Sequence, residues 1–283
     1  MATLESGTNS HVNYIGLIKV LAYKSPLRRV FLKFRSLFGR QNIGLTRNQI
    51  LKAIDQISRK RSNIELMENI GLNHMVAELP REIWGNAGHG LYSAQLPIQF
   101  GLFLDWVEKK KISSYREIGV RHGGSFIIVS EIISRQSPEW IAEAYDIHYS
   151  PAIAVYASLR EGHVSQHIGS SVSMAMFNHV KSSVVDLSFV DGDHSYQVAL
   201  EDVINCWNSS KYIALHDVDS SSMLGTSKLW QRIKPLIDEY EEWVDQYPSS
   251  DQNGRLMGIS VFNTFDRNGN KIELDKIISL RDN

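Results

Sequence analysis

The chain has 283 residues, a formal net charge of −1, 43% hydrophobic residues and 22% charged ones. That is the make-up of an ordinary soluble globule, large enough to bury a core without staples. The one cysteine, Cys206, excludes an intrachain disulfide and fits a reducing, cytoplasmic setting. Its run, Val203-Ile204-Asn205-Cys206-Trp207, reads as a buried structural thiol.

The near-zero net charge hides an asymmetry. Residues 1–60 hold 11 Lys and Arg against two acids, Glu5 and Asp55. One reading is a basic arm that meets an anionic partner, such as a membrane surface, a nucleic acid or an acidic glycan carrier. The other is a solvated helical face that docks on the acidic body. No motif marks a nucleic-acid binder. The apolar stretch from Tyr14 to Tyr23 is broken by Lys19 and falls short of the ~20 residues a membrane span needs. It also lacks a signal peptide's pattern. "SPLRRVFLKFRSLFGR", within Val20 to Arg40, reads either as an interfacial amphipathic helix with peripheral membrane contact or as a helix packed on its own domain.

Residues 1–12 are polar, and residues 13–80 read as helices. After Thr46 the spacing of Ile50, Leu51, Ile54 and Ile57 predicts a helix. A loop rich in Gly and Pro follows over 78–97, then a helix from about Ile98 to Lys110. Residues 1–90 are therefore expected to be a helical, basic extension that covers one side of the body or mediates homo-oligomerisation. Residues 91–283 are expected to form the main domain. From Tyr115 on, strands and helices alternate, which predicts a parallel α/β sheet. Candidate strands are 115–120, 140–146, 163–168, 184–190, 211–215 and 255–262. Helical stretches lie near 124–135, 151–160, 171–180, 195–208 and 226–241. The tail beyond Asn263 reads as polar.

Four strand ends carry chemistry. Glu117-Ile118-Gly119-Val120-Arg121-His122-Gly123-Gly124-Ser125 joins a strand to a helix. Its glycines permit a tight turn and close approach of a ligand, and the helix start offers free N–H groups. The spacing G-x-x-x-G-G is not the dinucleotide fingerprint G-x-G-x-x-G. Asp146 ends the second strand, where a carboxylate can accept both ribose hydroxyls. "VVDLSFVDGDHSY" and "KYIALHDVD" bring Asp191, Asp193, His194, His216 and Asp217 to neighbouring strand ends. Asp and His together suit a general base or a divalent metal. His163 and His167 lie four apart without cysteine partners, which does not favour zinc. His122 and His148 are candidates to touch a ligand. Trp106, Trp140 and Trp207 read as packing residues.

As an ordered set, E-x-G-x-x-x-G-G-S, the strand-terminal Asp146, "IGSS", "VDGDHSY" and "LHDV" resemble the class I S-adenosylmethionine (SAM) dependent methyltransferases. Within them the chain is similar to the branch of macrolide-sugar, rhamnosyl and cephalosporin-biosynthesis O-methyltransferases. The resemblance covers about residues 90 to 262. It implies a Rossmann-like, seven-stranded sheet whose last strand is antiparallel. It implies that Glu117, Gly119, Gly123, Gly124 and Ser125 surround the methionine part of SAM, that Asp146 binds the ribose, and that Ser170 lies near the adenine or sulfonium side. Asp191 and Asp217 match positions that hold Mg²⁺ in metal-dependent members, with His216 beside them, and His194 matches the general base. The sequence departs from the pattern at His216, where metal-dependent relatives often carry a carboxylate. Mg²⁺ prefers oxygen ligands, so His216 either changes the ion or orients Asp217 instead.

These roles imply methyl transfer to a hydroxyl of a small molecule, sugar or glycan, with proton removal by His194 and metal assistance from Asp191 and Asp217. Three alternatives stand beside it. A metal-dependent hydrolase leaves the glycine loop and Asp146 unexplained. A non-catalytic SAM-fold module would bind partners through its basic arm. A nicotinamide-dependent oxidoreductase meets the wrong glycine spacing.

Overall fold

The computed structural model describes residues 47–70, 91, 93, 95–219, 224–247 and 255–282. The basic stretch up to residue 46 and most of the loop at 78–97 lie outside these residues, so the amphipathic and membrane-contact readings do too. Two helices precede the sheet, α1 (Arg47–Arg59) and α2 (Asn63–Ile70). α1 buries Ile50, Ala53 and Ile57, while Leu51 is 38% exposed. The expected apolar face is thus rotated: positions i, i+3 and i+7 share one side of a 3.6-residue helix, and position i+1 does not. α1 packs on the helices Gly124–Ile133 and Pro151–Leu159, and α2 packs along the helix Pro97–Lys110.

The sheet has seven strands: β1 (Ser114–Ile118), β2 (Ile141–Asp146), β3 (Val164–Ile168), β4 (Val185–Val190), β5 (Ser210–His216), β6 (Tyr240–Tyr247) and β7 (Arg255–Asn263). Their order is β3-β2-β1-β4-β5-β7-β6. β1 to β5 pair in parallel, and β7 runs antiparallel between β5 and β6. This is a Rossmann-like sheet: the alternating pattern predicts its parallel strands, and the resemblance implies its seven strands with the last one antiparallel. Its helices are α3 (Pro97–Lys110), α4 (Gly124–Ile133), α5 (Pro151–Leu159), α6 (Met174–Ser182), α7 (Tyr196–Trp207), α8 (Leu224–Ile233) and a short α9 (Leu274–Ile278).

Two segments depart from the expected pattern. The helix expected over 226–241 ends at Ile233, and a 3₁₀ turn follows over Lys234–Leu236. The chain then enters β6 at Tyr240. Glu241, Glu242 and Asp245 disguise this strand, and their charge suits a sheet edge that must not recruit further strands. The tail is not merely polar either. Ile272, Ile277 and Leu280 are buried in the cluster formed by α7, β5 and α8. Trp207 Nε1 donates to the Ile272 carbonyl at 2.9 Å, and Tyr196 Oη donates to the Leu280 carbonyl at 2.9 Å.

β1 is buried on both faces although its sequence is Ser-Tyr-Arg-Glu-Ile. Arg116 is fully buried. It pairs with Glu143 of β2 at 3.0 Å and donates to Ser209 Oγ and to the Ser183 carbonyl. A buried guanidinium is tolerable only when its donors are used in this way. Its neighbour Glu117 faces the other side of the sheet, toward the site.

Candidate functional site

In an open parallel sheet the ligand crevice forms beyond the carboxyl ends of the strands, where the connections diverge to either side. Here that point lies between β1 and β4. The loops leaving the strands are tied together there. Gly119 N–H donates to the Tyr145 carbonyl and Asp191 N–H to the Ile118 carbonyl, both at 2.8 Å. Gly119 has φ +92°, and a Cβ on it would come within 2.2 Å of the Asp191 carbonyl oxygen. No other residue fits this crossing of two loops. Gly123, with φ +86°, is the N-cap of α4, and Gly124 and Ser125 open that helix.

Glu117 lies fully buried beneath this turn. It accepts hydrogen bonds of 2.6 Å from Ser125 Oγ and from Tyr115 Oη. Burial pushes its carboxyl up to about 8. The two hydrogen bonds pull the other way without overcoming it, and the charge of Asp191 adds to the rise. Near neutral pH this carboxyl is thus largely protonated, below a helix N-terminus.

Asp146, at the end of β2, accepts the Arg121 N–H on one carboxylate oxygen at 2.7 Å and the His148 N–H on the other at 2.8 Å. Each oxygen keeps a second lone pair. The carboxylate is thus aimed by both flanking loops and still able to receive a diol. Beside Asp146, Ile147 is 62% exposed and Ile168, the β3 register partner of Asp146, is 55% exposed; Met174, at the start of α6, is 71% exposed. Ser170 lies on the exposed turn after β3, its carbonyl accepting the Ser173 N–H. His148 is exposed. His163 stacks on Trp140 and His167 on Tyr145, so both rings take part in packing. Trp106, Trp140, Trp207 and Cys206 are buried, as expected.

The second half of the site is built by β4 and β5. His216 is 4% exposed. Its Nδ1 lies 3.0 Å from Asp191 Oδ1 and 3.4 Å from Asp217 Oδ2, off the line of a hydrogen bond to either. Burial works against a charge on this ring, but Asp191 and then Asp217 outweigh it and hold the imidazole well above its ordinary range. Burial also works against the Asp217 charge, yet His216 brings that carboxyl below its usual value. Asp217 has φ +56°, a strained conformation for a non-glycine residue that clusters at functional positions. His194 Nδ1 sits 3.3 Å from Asp217 Oδ2, with its side chain 29% exposed. Asp217 Oδ2 thus lies beside both imidazoles, with the His194 ring the more exposed of the two.

Two partners of this cluster escaped the sequence reading. Gln95 Nε2 donates to Asp191 Oδ2 at 3.1 Å. Gly225, at the start of α8, lies so close to the His194 loop that a Cβ would fall 2.2 Å from the His194 carbonyl oxygen. The "QLP" and "LGT" sequences carry no signal of either contact, since each depends on the tertiary crossing.

The residues expected to hold Mg²⁺ do not fit it. Both oxygens of Asp191 face nitrogen groups, Gln95 on one and His216 on the other. Among the described residues no group of three or more His, Cys, Asp or Glu side chains is arranged to hold a metal ion. Mg²⁺ demands near-octahedral oxygen coordination, and the cluster offers it an imidazole in the central position.

Residues 116–218 match the model of a family described as a methyltransferase domain. No curated protein matches the chain. Solved structures with a similar trace include the O-methyltransferase TomG from Streptomyces achromogenes, involved in tomaymycin synthesis, in complex with SAM. It is 13% identical, with 84% of this chain and 99% of that one covered and a TM-score of 0.48. Another is an O-methyltransferase from Bacillus cereus in complex with SAH, at 15% identity, 59% and 81% coverage and a TM-score of 0.43. A putative O-methyltransferase from Klebsiella pneumoniae is 13% identical, with 76% and 89% covered and a TM-score of 0.44.

Proposed function

From a methyltransferase domain over residues 116–218, we infer that the chain is a SAM-dependent enzyme, and we propose that it methylates a hydroxyl of a small-molecule, sugar or glycan acceptor. The observation that carries this reading is the pairing of two binding features at one switch point. A buried Glu117 lies under the Gly119 turn, and Asp146 is aimed by two backbone N–H groups. A nucleoside joined to an amino acid has the chemistry to use both. Its ribose diol suits Asp146, its ammonium suits Glu117, and its purine suits the exposed Ile147, Ile168 and Met174. No pyrophosphate cradle is required.

Bound there, SAM supplies an already activated methyl group. The chain's own residues then have three tasks. Gly119, Gly123 and the start of α4 hold the amino-acid end by backbone contact. Asp217, itself held by His216, orients His194 through Nδ1. His194 Nε2 takes the acceptor's hydroxyl proton as the oxygen attacks. No step passes through a metal.

Ligand discrimination tests the reading. SAM and S-adenosylhomocysteine are expected to raise the melting temperature and bind with micromolar Kd, while NAD and ATP do neither. Preference for NAD would move the assignment to an oxidoreductase.

A further inference from the structure

We propose that the Asp191–His216–Asp217 cluster works without a divalent cation, with the His216 ring and the Gln95 amide positioning the carboxylates that an ion would otherwise hold. Four observations converge on this. The ring of His216 is seated at the end of β5 and is nearly inaccessible, at 4% exposure. It is packed edge-on against Phe189 at 6.0 Å with an interplanar angle of 90°, which keeps it from swinging aside. Its Nδ1 faces both carboxylates, at 3.0 Å and 3.4 Å, and so bridges two strand ends. The second oxygen of Asp191 receives the Gln95 amide at 3.1 Å, so that both of its oxygens have a nitrogen group beside them.

A metal in such a site has two jobs, to hold the carboxylates in register and to lower the pKa of a bound hydroxyl. The first is already done by His216 and Gln95. The second falls to the His194–Asp217 pair, which lies 3.3 Å apart and removes a proton directly. His216 and Gln95 are thus positioning residues: they act on the acceptor through Asp191 and Asp217.

The test needs neither SAM nor an acceptor, so its outcome is independent of the cofactor reading. Chelator-treated protein is titrated with Mg²⁺, Mn²⁺ and Zn²⁺ by calorimetry, and Mn²⁺ binding is followed by electron paramagnetic resonance. The wild type is expected to show no saturable site up to millimolar ion. His216→Asp and, separately, Gln95→Glu place carboxylate oxygens where nitrogen donors now sit. At least one is expected to gain a Mn²⁺ site at least about tenfold tighter than any wild-type binding. Circular dichroism confirms that each variant is folded, and His216→Asn replaces His216→Asp if the latter is not. One equivalent of ion bound by the wild type and lost in Asp191→Asn would overturn the proposal. So would folded variants that gain no ion affinity, because the nitrogen groups would then not be what excludes the ion.

Discussion

The Ser125 hydroxyl, in the first turn of α4, donates a 2.6 Å hydrogen bond to Glu117 Oε1 at the end of β1. The bond joins the glycine turn to the strand below it and aims a buried carboxyl at the proposed amino-acid end of the ligand. That carboxyl is raised to about 8, so it is mostly protonated at pH 7 in the free protein. An arriving ammonium lowers its pKa. SAM binding at pH 7 is therefore expected to release up to one proton, and affinity should rise as the pH goes from 6 to 8. Calorimetry in buffers of different ionisation enthalpy measures the release. Heat that is independent of buffer would contradict the role of Glu117.

The same shift has a stability consequence. The folded carboxyl is raised above its unfolded value of 4.5. The associated stability is fully present below about pH 4.5 and lost as the pH rises through about 8. Glu117→Gln removes the ionisable group, so the variant's stability should be flatter over that window and exceed the wild type's at pH 8. Thermal melts across the window decide it. An unchanged pH profile would count against a buried, protonated Glu117.

Gly119 and Gly162 both have positive φ, +92° and +81°, but a Cβ on Gly162 meets nothing within 4 Å. Gly162→Ala should cost about 1 kcal/mol from backbone conformation alone and leave SAM affinity intact. Gly119→Ala adds a clash with the Asp191 carbonyl, and should cost markedly more and lower SAM affinity by about 100-fold or more. Equal costs in the two variants would show that the loop crossing at Gly119 is not tight.

Arg116 and Glu143 form a buried ion pair at 3.0 Å. Removing one partner strands the other charge, so Arg116→Met should destabilise the protein by about 3–5 kcal/mol, readable in denaturant melts. A loss under about 1 kcal/mol would mean that Glu143 is satisfied without it.

This pair also shows what the sequence left hidden. The glycine spacing, Asp146 and the Asp/His strand ends were legible because each occupies a strand terminus, and strand termini follow from apolar runs. Arg116 and Glu143 lie inside strands and become partners only through the register that sets them side by side. Gln95 reaches Asp191 across 96 positions of chain, a distance no local pattern encodes. β6 was misread because three acids interrupt its apolar character. The tail was misread because Ile272, Ile277 and Leu280 are spaced widely among charges. Of the fold, the parallel strands and the antiparallel last strand were readable, and β6 and the buried tail depended on tertiary contacts.

His194 is expected to matter for turnover and not for cofactor binding. His194→Ala should keep SAM affinity within about threefold and slow methyl transfer by about 10²–10⁴. Labelled methyl transfer to hydroxylated acceptors reads the rate. Full activity of the variant would remove His194 as the base.

The central claim is that the switch point between β1 and β4 holds SAM, and calorimetric titration of SAM into the wild type and Asp146→Ala tests it most directly. Two charge-assisted hydrogen bonds to a ribose are together worth at least about 3 kcal/mol. The wild type is expected to bind one equivalent with micromolar Kd, and the variant at least about 100-fold more weakly. No binding by the wild type, or equal binding by both proteins, would contradict it.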